Sequence, residues 1–198
     1  MSAPENGVEP GPDGKPRCWW SLGTEDYLAY HDEEWGRPLH GERELFERLT
    51  LEAFQSRLSW LTILRKRENF RLAFDGFEIE RVAGYGEREI ERLLADAGIV
   101  RNRKKIEAAV TNARAARQMH ARGETLDELI WSFAPEDARP APGSPSDLDS
   151  TTPESKALAK ELKRKGFVFV GPTTVYATME AIGVVDDHLK GCAFRLRH

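Results

Sequence analysis

The chain has 198 residues, a formal net charge of −4, and 31% charged against 40% hydrophobic residues. That balance excludes an intrinsically disordered chain and argues against a protein held to nucleic acid by bulk charge alone. No run approaches the roughly 18 apolar residues of a membrane span, and two cysteines are too few for a disulfide scaffold, which points to a reducing cytoplasm.

Residues 1–16 lack the apolar core of a signal peptide, and their Pro, Gly and charges read as a flexible tail. From there the periodicity is helical. Thr24 is a candidate N-cap for a helix over 24–36 that places Tyr27, Tyr30 and His31 on one face. Leu45, Phe46, Leu49 and Ala53 form the stripe of a helix over 41–55, with Glu52 at its edge. A further helix is predicted over 61–70 and a short one over 78–84. Ile90, Leu93, Leu94 and Ala97 mark another over 87–97, ended by Gly98. Ile106, Ala109, Val110 and Ala113 repeat at helical spacing after Asn102, and Leu126, Leu129, Ile130 and Phe133 follow Gly123.

The polar, proline-rich stretch at about 135–152 reads as a mobile loop. Thr152 and Pro153 suit the N-cap and first position of a helix over 153–165. FVFVGP (167–172) has β-branched and aromatic character but no partner strand, so it reads as a buried extended link before a last helix over 172–182. The expectation is an all-α protein with one domain over 17–192, built as two helical lobes, and a C-terminal tail over 193–198.

Three groupings carry chemistry. Cys18 and His31 near the start, with His188 and Cys192 near the end, supply the S₂N₂ donor set of tetrahedral zinc. His188 and Cys192 are spaced to share one face of a helical turn. Spacing alone leaves open two ordinary intracellular cysteines and two surface histidines. The helix–turn–helix over 87–119, with Gly98 in its turn and Arg101, Arg103, Lys104 and Lys105 opening the second helix, could hold a DNA backbone through free N–H groups and charge. An ordinary helical hairpin with a solvated basic face fits equally. Trp20, Tyr27, Tyr30 and Trp60 flank Glu52, a set suited to a flat cationic ligand, though the same rings could be plain core.

Together these residues resemble the DNA-3-methyladenine glycosylase I family of the helix-hairpin-helix glycosylase superfamily. The likeness runs through RCWW (17–20), YLAYHDEEWG (27–36), LFERLTLEAFQSRLSW (45–60), ILRKRENF (63–70), LLADAGIVRNRKKIEA (93–108), WSF (131–133), ALAKELKRKGFVFVGPTTVYA (157–177) and DDHLKGC (186–192). The resemblance implies a helix-hairpin-helix DNA glycosylase fold and one structural zinc on Cys18, His31, His188 and Cys192. It implies that Glu52 hydrogen-bonds the excised base, that Tyr30 and Trp60 enclose it, and that Trp20 and Tyr27 line the same pocket. It places 98–105 on the DNA backbone and Arg57 and Leu58 against the duplex. The implied activity is hydrolysis of 3-methyladenine from alkylated double-stranded DNA by base flipping, without strand cleavage or organic cofactor, in a cytoplasmic monomer. One departure stands out: the family has a glycine before Leu-Ser-Trp, where this chain has Arg57. Arg57 keeps open two other readings: a zinc-bound module that binds damaged DNA without catalysis, and a glycosylase with shifted base preference.

Overall fold

The computed structural model describes residues 4–137 and 139–196. Its frame is a set of nine α-helices among the described residues, arranged around one that is buried almost all round. That helix, α2 (Glu42–Gln55), buries Leu45, Phe46, Leu49, Leu51 and Phe54 together with Arg48 and Glu52. Its charged first turn is solvated, with Arg43 exposed, but Arg48 and Glu52 lie on the covered part and must be matched inside the protein. Its neighbours are α3 (Trp60–Ala73), α6 (Arg103–His120), α7 (Leu126–Trp131) and α9 (Pro172–Ala181). The remaining helices are α1 (Glu25–Glu33), α4 (Ile79–Ala83), α5 (Glu87–Ala95) and α8 (Pro153–Arg164). Helix α6 packs on α4 and α5, and α8 packs on α9.

Local signals set the boundaries. Ser59 caps α3, its hydroxyl accepting from Thr62 N–H at 3.2 Å, so α3 starts at Trp60. Asn102 caps α6 through Lys105 N–H, and Thr152 with Pro153 opens α8 as the sequence predicts. The 167–171 link is not a strand: buried Phe167 and Val170 anchor it, and Asn112 of α6 bonds both backbone groups of Val168.

The all-helical expectation needs correction. The fold is mostly helical but not wholly so, because residues 8–18 form an antiparallel hairpin of β1 (Val8–Pro10) and β2 (Pro16–Cys18), with Val8 opposite Cys18. Composition pointed to a flexible tail; the Asp13-Gly14 pair is instead a hairpin turn, with Gly14 at φ 79°. The hairpin is tied to the body by Ala193 N–H to Pro16 C=O at 2.9 Å and by Arg17, buried between Asp13 of the turn and Asp32 of α1. A β-carbon at Gly7 would stand 2.5 Å from Leu189 Cδ1, so the turn before β1 lies directly on the C-terminal segment. The loop over 135–152 is likewise tethered. Arg139 donates to Tyr176 Oη at 2.8 Å and to Asp149 at 3.0 Å, and Lys190 N–H donates to Pro142 C=O at 2.8 Å. In the C-terminal tail, Arg195 donates to the carbonyls of Asp186, His188 and Arg139. Residues 1–3, 138 and 197–198, which fall within the predicted tails and loop, lie outside the described residues.

Candidate functional site

Helices α1, α2, α3 and α9 converge on a cavity of about 160 Å³ lined by Trp20, Tyr27, Tyr30, Trp35, Glu52, Gln55, Trp60, Ala177, Glu180 and Ala181. Every residue expected to line a pocket is there. The walls are aromatic: Tyr30 and Trp60 have ring centroids 5.3 Å apart, Trp20 and Tyr27 5.0 Å, and Tyr27 and Tyr30 stack at 6.5 Å. The buried indole N–H of Trp60 has no hydrogen-bond partner among the described residues, which leaves a donor for a ligand.

Glu52 is the polar centre of this cavity and only 5% exposed. Burial pushes its carboxyl up to about 7, and the Arg48 guanidinium opposes that rise. Arg48 itself reaches Tyr30 Oη at 3.3 Å and Glu34 at 3.3 Å, and its guanidinium lies over the rings of Tyr30 and Trp60. Burial likewise raises Glu180 well above the ordinary carboxylate range, with Asp187 and Glu52 adding to the rise. Two carboxyls facing one small cavity do not both ionise readily.

Glu180, Trp35, Gln55 and Arg48 escaped the sequence reading. Gln55 was within reach, since it lies one turn beyond Glu52 on the same helix. Glu180 comes from α9, more than a hundred residues away in sequence, and no local pattern announces it.

Behind the Tyr30 wall is the cysteine–histidine cluster. The ligand atoms of Cys18, His31 and Cys192 lie within 4.8 Å of one another, all buried. His188 is adjacent to that set, its ring centroid 4.8 Å from that of His31. His31 Nδ1 sits 2.8 Å from Asp32 and His188 Nδ1 2.7 Å from Asp186, which turns each Nε2 toward the cluster; that of His31 is 3.6 Å from Cys192 Sγ, and that of His188 is buried with no partner among the described residues. A carboxylate behind each imidazole is the arrangement that orients metal-binding histidines. The Cys18 thiol, hydrogen-bonded to Cys192, is pushed up, while Cys192 is drawn down to about 4. Two cysteine sulfurs and two imidazoles make a donor set that suits a tetrahedral S₂N₂ ion.

A second cleft of about 510 Å³ opens where the α2–α3 loop meets the start of α6, lined by Ser56, Arg57, Leu58, Val100, Asn102, Lys104, Lys105 and Phe169. It gathers several predicted DNA-facing residues but not as equals. Lys105 is buried, and its ammonium donates to the carbonyls of Phe54 at 2.8 Å and Ser56 at 2.6 Å, closing the C-terminus of α2. Arg103 is engaged by Glu87, Glu91 and Glu107. Arg101 and Lys104 are exposed. Gly98 lies in the turn between α5 and α6; its carbonyl accepts from Lys66 at 3.1 Å, and a β-carbon there would crowd Asp96 and Asn69. Arg57 has φ 68°, a left-handed conformation in which glycine carries no penalty.

Residues 19–196 match the family model described as methyladenine glycosylase. The chain belongs to that family. DNA-3-methyladenine glycosylase 1 of Escherichia coli (strain K12) is 45% identical over 177 residues, 89% of this chain and 95% of the relative. A crystal structure of 3-methyladenine DNA glycosylase I superposes with a TM-score of 0.86 at 45% identity, over 89% of this chain and 98% of the other. The 3-methyladenine DNA glycosylase I from Staphylococcus aureus, solved to explain recognition of 3-methyladenine, has a TM-score of 0.85 at 38% identity, over 92% and 97%. In this methyladenine glycosylase family member, then, the aromatic cavity around Glu52 is built on the same fold as a relative whose structure addresses base recognition.

Proposed function

We propose that this protein excises 3-methyladenine from alkylated double-stranded DNA by hydrolysing the N-glycosidic bond, leaving an abasic site and an uncut backbone. The observation that carries this reading is the aromatic cavity around the buried Glu52 carboxyl, in a chain so similar to DNA-3-methyladenine glycosylases. Methylation at N3 gives the nucleobase a positive charge and makes it a good leaving group, so the protein must chiefly expose and hold the base. Flipping costs a few kcal/mol. Tyr30 and Trp60 favour a cation through their faces, and the Glu52 carboxylate accepts hydrogen bonds from the base edge. A cation entering the cavity also favours loss of the Glu52 proton, so ligand and carboxylate charge each other's site. Among the described residues no lysine lines the cavity, in keeping with hydrolysis rather than a Schiff-base lyase.

The same reading assigns a structural zinc to Cys18, His31, His188 and Cys192. Four protein ligands would close its shell, so it would tie the N-terminal segment to the C-terminal one and supply no catalytic water. The α5–α6 hairpin would act as a helix-hairpin-helix clamp, meeting phosphates with the turn backbone, Arg101 and Lys104, while Lys105 and Arg103 hold the fold. The enzyme would act as a cytoplasmic monomer without organic cofactor; among the described residues no helix is long and apolar enough to cross a membrane.

Arg57 favours a second reading, a module that binds damage without catalysis. Incubation of folded, metal-loaded protein with methylated duplex DNA separates the two. Free 3-methyladenine with alkali-labile but unnicked strands is the expected result; binding with no base release establishes the module instead.

A further inference from the structure

The link between α8 and α9 presents a side chain that folding alone does not account for. Phe169 is 43% exposed, one of four large hydrophobic residues left on the described surface. It also has φ 56°, a conformation that costs free energy for any residue with a bulky side chain. The strain is imposed. Asn112, buried in α6, donates to Val168 C=O at 3.0 Å and accepts from Val168 N–H at 2.8 Å, while Phe167 and Val170 are sunk in the core on either side. The loop is thus gripped so that one aromatic ring stands out.

The ring lies on the rim of the cleft that holds Arg57 and Leu58. Arg57 is the other non-glycine residue of that cleft in a left-handed conformation, and Leu58 beside it is 41% exposed. Two strained loops therefore face one cleft, each offering an apolar side chain. The cleft's charged residues are Arg57, Lys104 and Lys105, with no carboxylate among those lining it. Apolar projections from a cationic floor suit a polyanion with stacked, separable plates, and proteins that unstack DNA insert apolar side chains between bases.

We propose that Phe169 is a positioning residue that stacks on a base of the duplex at the site of nucleotide flipping, opposing Leu58 across the cleft. It offsets the stacking lost when the target nucleotide leaves the helix and so favours the distorted over the intact duplex. This rests on the proposed glycosylase function, which supplies the flipped nucleotide.

The test uses full-length protein and two duplexes of identical sequence, one intact and one with a stable abasic analogue. Phe169→Gly removes the ring and relieves the left-handed strain, so its melting temperature should not fall. Its Kd for the abasic duplex should weaken about ten-fold, the scale of one lost base–aromatic stack. Affinity for the intact duplex, the salt dependence of binding, and binding of free 3-methyladenine to the aromatic cavity should not change. Phe169→Tyr should restore the lost affinity. Unchanged abasic-duplex affinity in Phe169→Gly overturns the proposal, as does equal weakening for both duplexes or weaker binding of the free base. Failure of the wild-type protein to release 3-methyladenine counts against the glycosylase reading itself; normal release with an unaffected Phe169→Gly counts against Phe169 alone.

Discussion

Glu52 is a residue whose usefulness and whose cost have one cause. Burial raises its carboxyl to about 7, so kcat/KM for base release should rise with pH through about 7 as the recognising carboxylate forms. Glu52→Gln should lower activity and flatten that limb; a limb that persists in the variant would mean another group titrates there. Stability has the opposite sign. Below pH 4.5 the carboxyl is protonated folded or unfolded; between 4.5 and about 7 the unfolded chain loses its proton while the folded one keeps it, and stability falls with rising pH. Above that window the penalty is about 3 kcal/mol. Glu52→Gln should accordingly melt higher than wild type at pH 8 and alike at pH 4, as differential scanning calorimetry would show. Arg57 is a second case. Arg57→Gly should gain about 1 kcal/mol by relieving its left-handed backbone, while the salt slope of DNA binding should drop by about one phosphate if its guanidinium meets the backbone.

At the scale of the element, the start of α6 separates charges that look alike in sequence. The run Arg101, Asn102, Arg103, Lys104, Lys105 reads as one basic face, yet only part of it is available to a ligand. Lys105→Met should destabilise the protein by about 2 kcal/mol, because the carbonyls of Phe54 and Ser56 lose a charged donor. Arg101→Ala should leave the melting temperature within about 0.5 kcal/mol of wild type and weaken DNA binding alike for all sequences. Equal stability of the two variants would mean Lys105 is not a structural residue. Such a distinction is invisible in periodicity, which reports the face of a residue but not whether its long side chain has turned back onto a neighbouring helix terminus. The N-terminal hairpin was missed for a related reason: Pro and Gly content reads as disorder, whereas the Asp13-Gly14 turn and the buried Arg17 between two aspartates give those residues a defined place.

For the molecule as a whole, the pocket was legible where its residues share a helix face or flank one, as Tyr27, Tyr30, Glu52 and Trp60 do. It was not legible where α9 closes it, since Glu180 arrives through tertiary packing alone. The cysteine–histidine cluster shows the same limit. Its residues are the chain's two cysteines and two of its five histidines, but the carboxylates behind the imidazoles, Asp32 and Asp186, emerge only from the fold. If the cluster holds zinc as proposed, elemental analysis should find one equivalent per chain, and Cys192→Ser should lose that equivalent and several degrees of melting temperature; a variant that retains both would remove Cys192 from the ligand set.

Tyr30 and His31 are consecutive on α1, one facing the aromatic cavity and the other the cysteine–histidine cluster. Any ion that fixes the His31 imidazole restricts the rotation available to the Tyr30 wall, so the two sites share a coupling free energy. Such coupling is reciprocal. If metal loading tightens the cavity around a base by some factor, a bound base must tighten the grip on the metal by that same factor. On the proposed zinc assignment, free 3-methyladenine, which would touch none of the Cys and His side chains of the cluster, should therefore slow the transfer of zinc to a chelator, and Tyr30→Phe, which removes only the hydroxyl, should abolish less of that slowing than Tyr30→Ala.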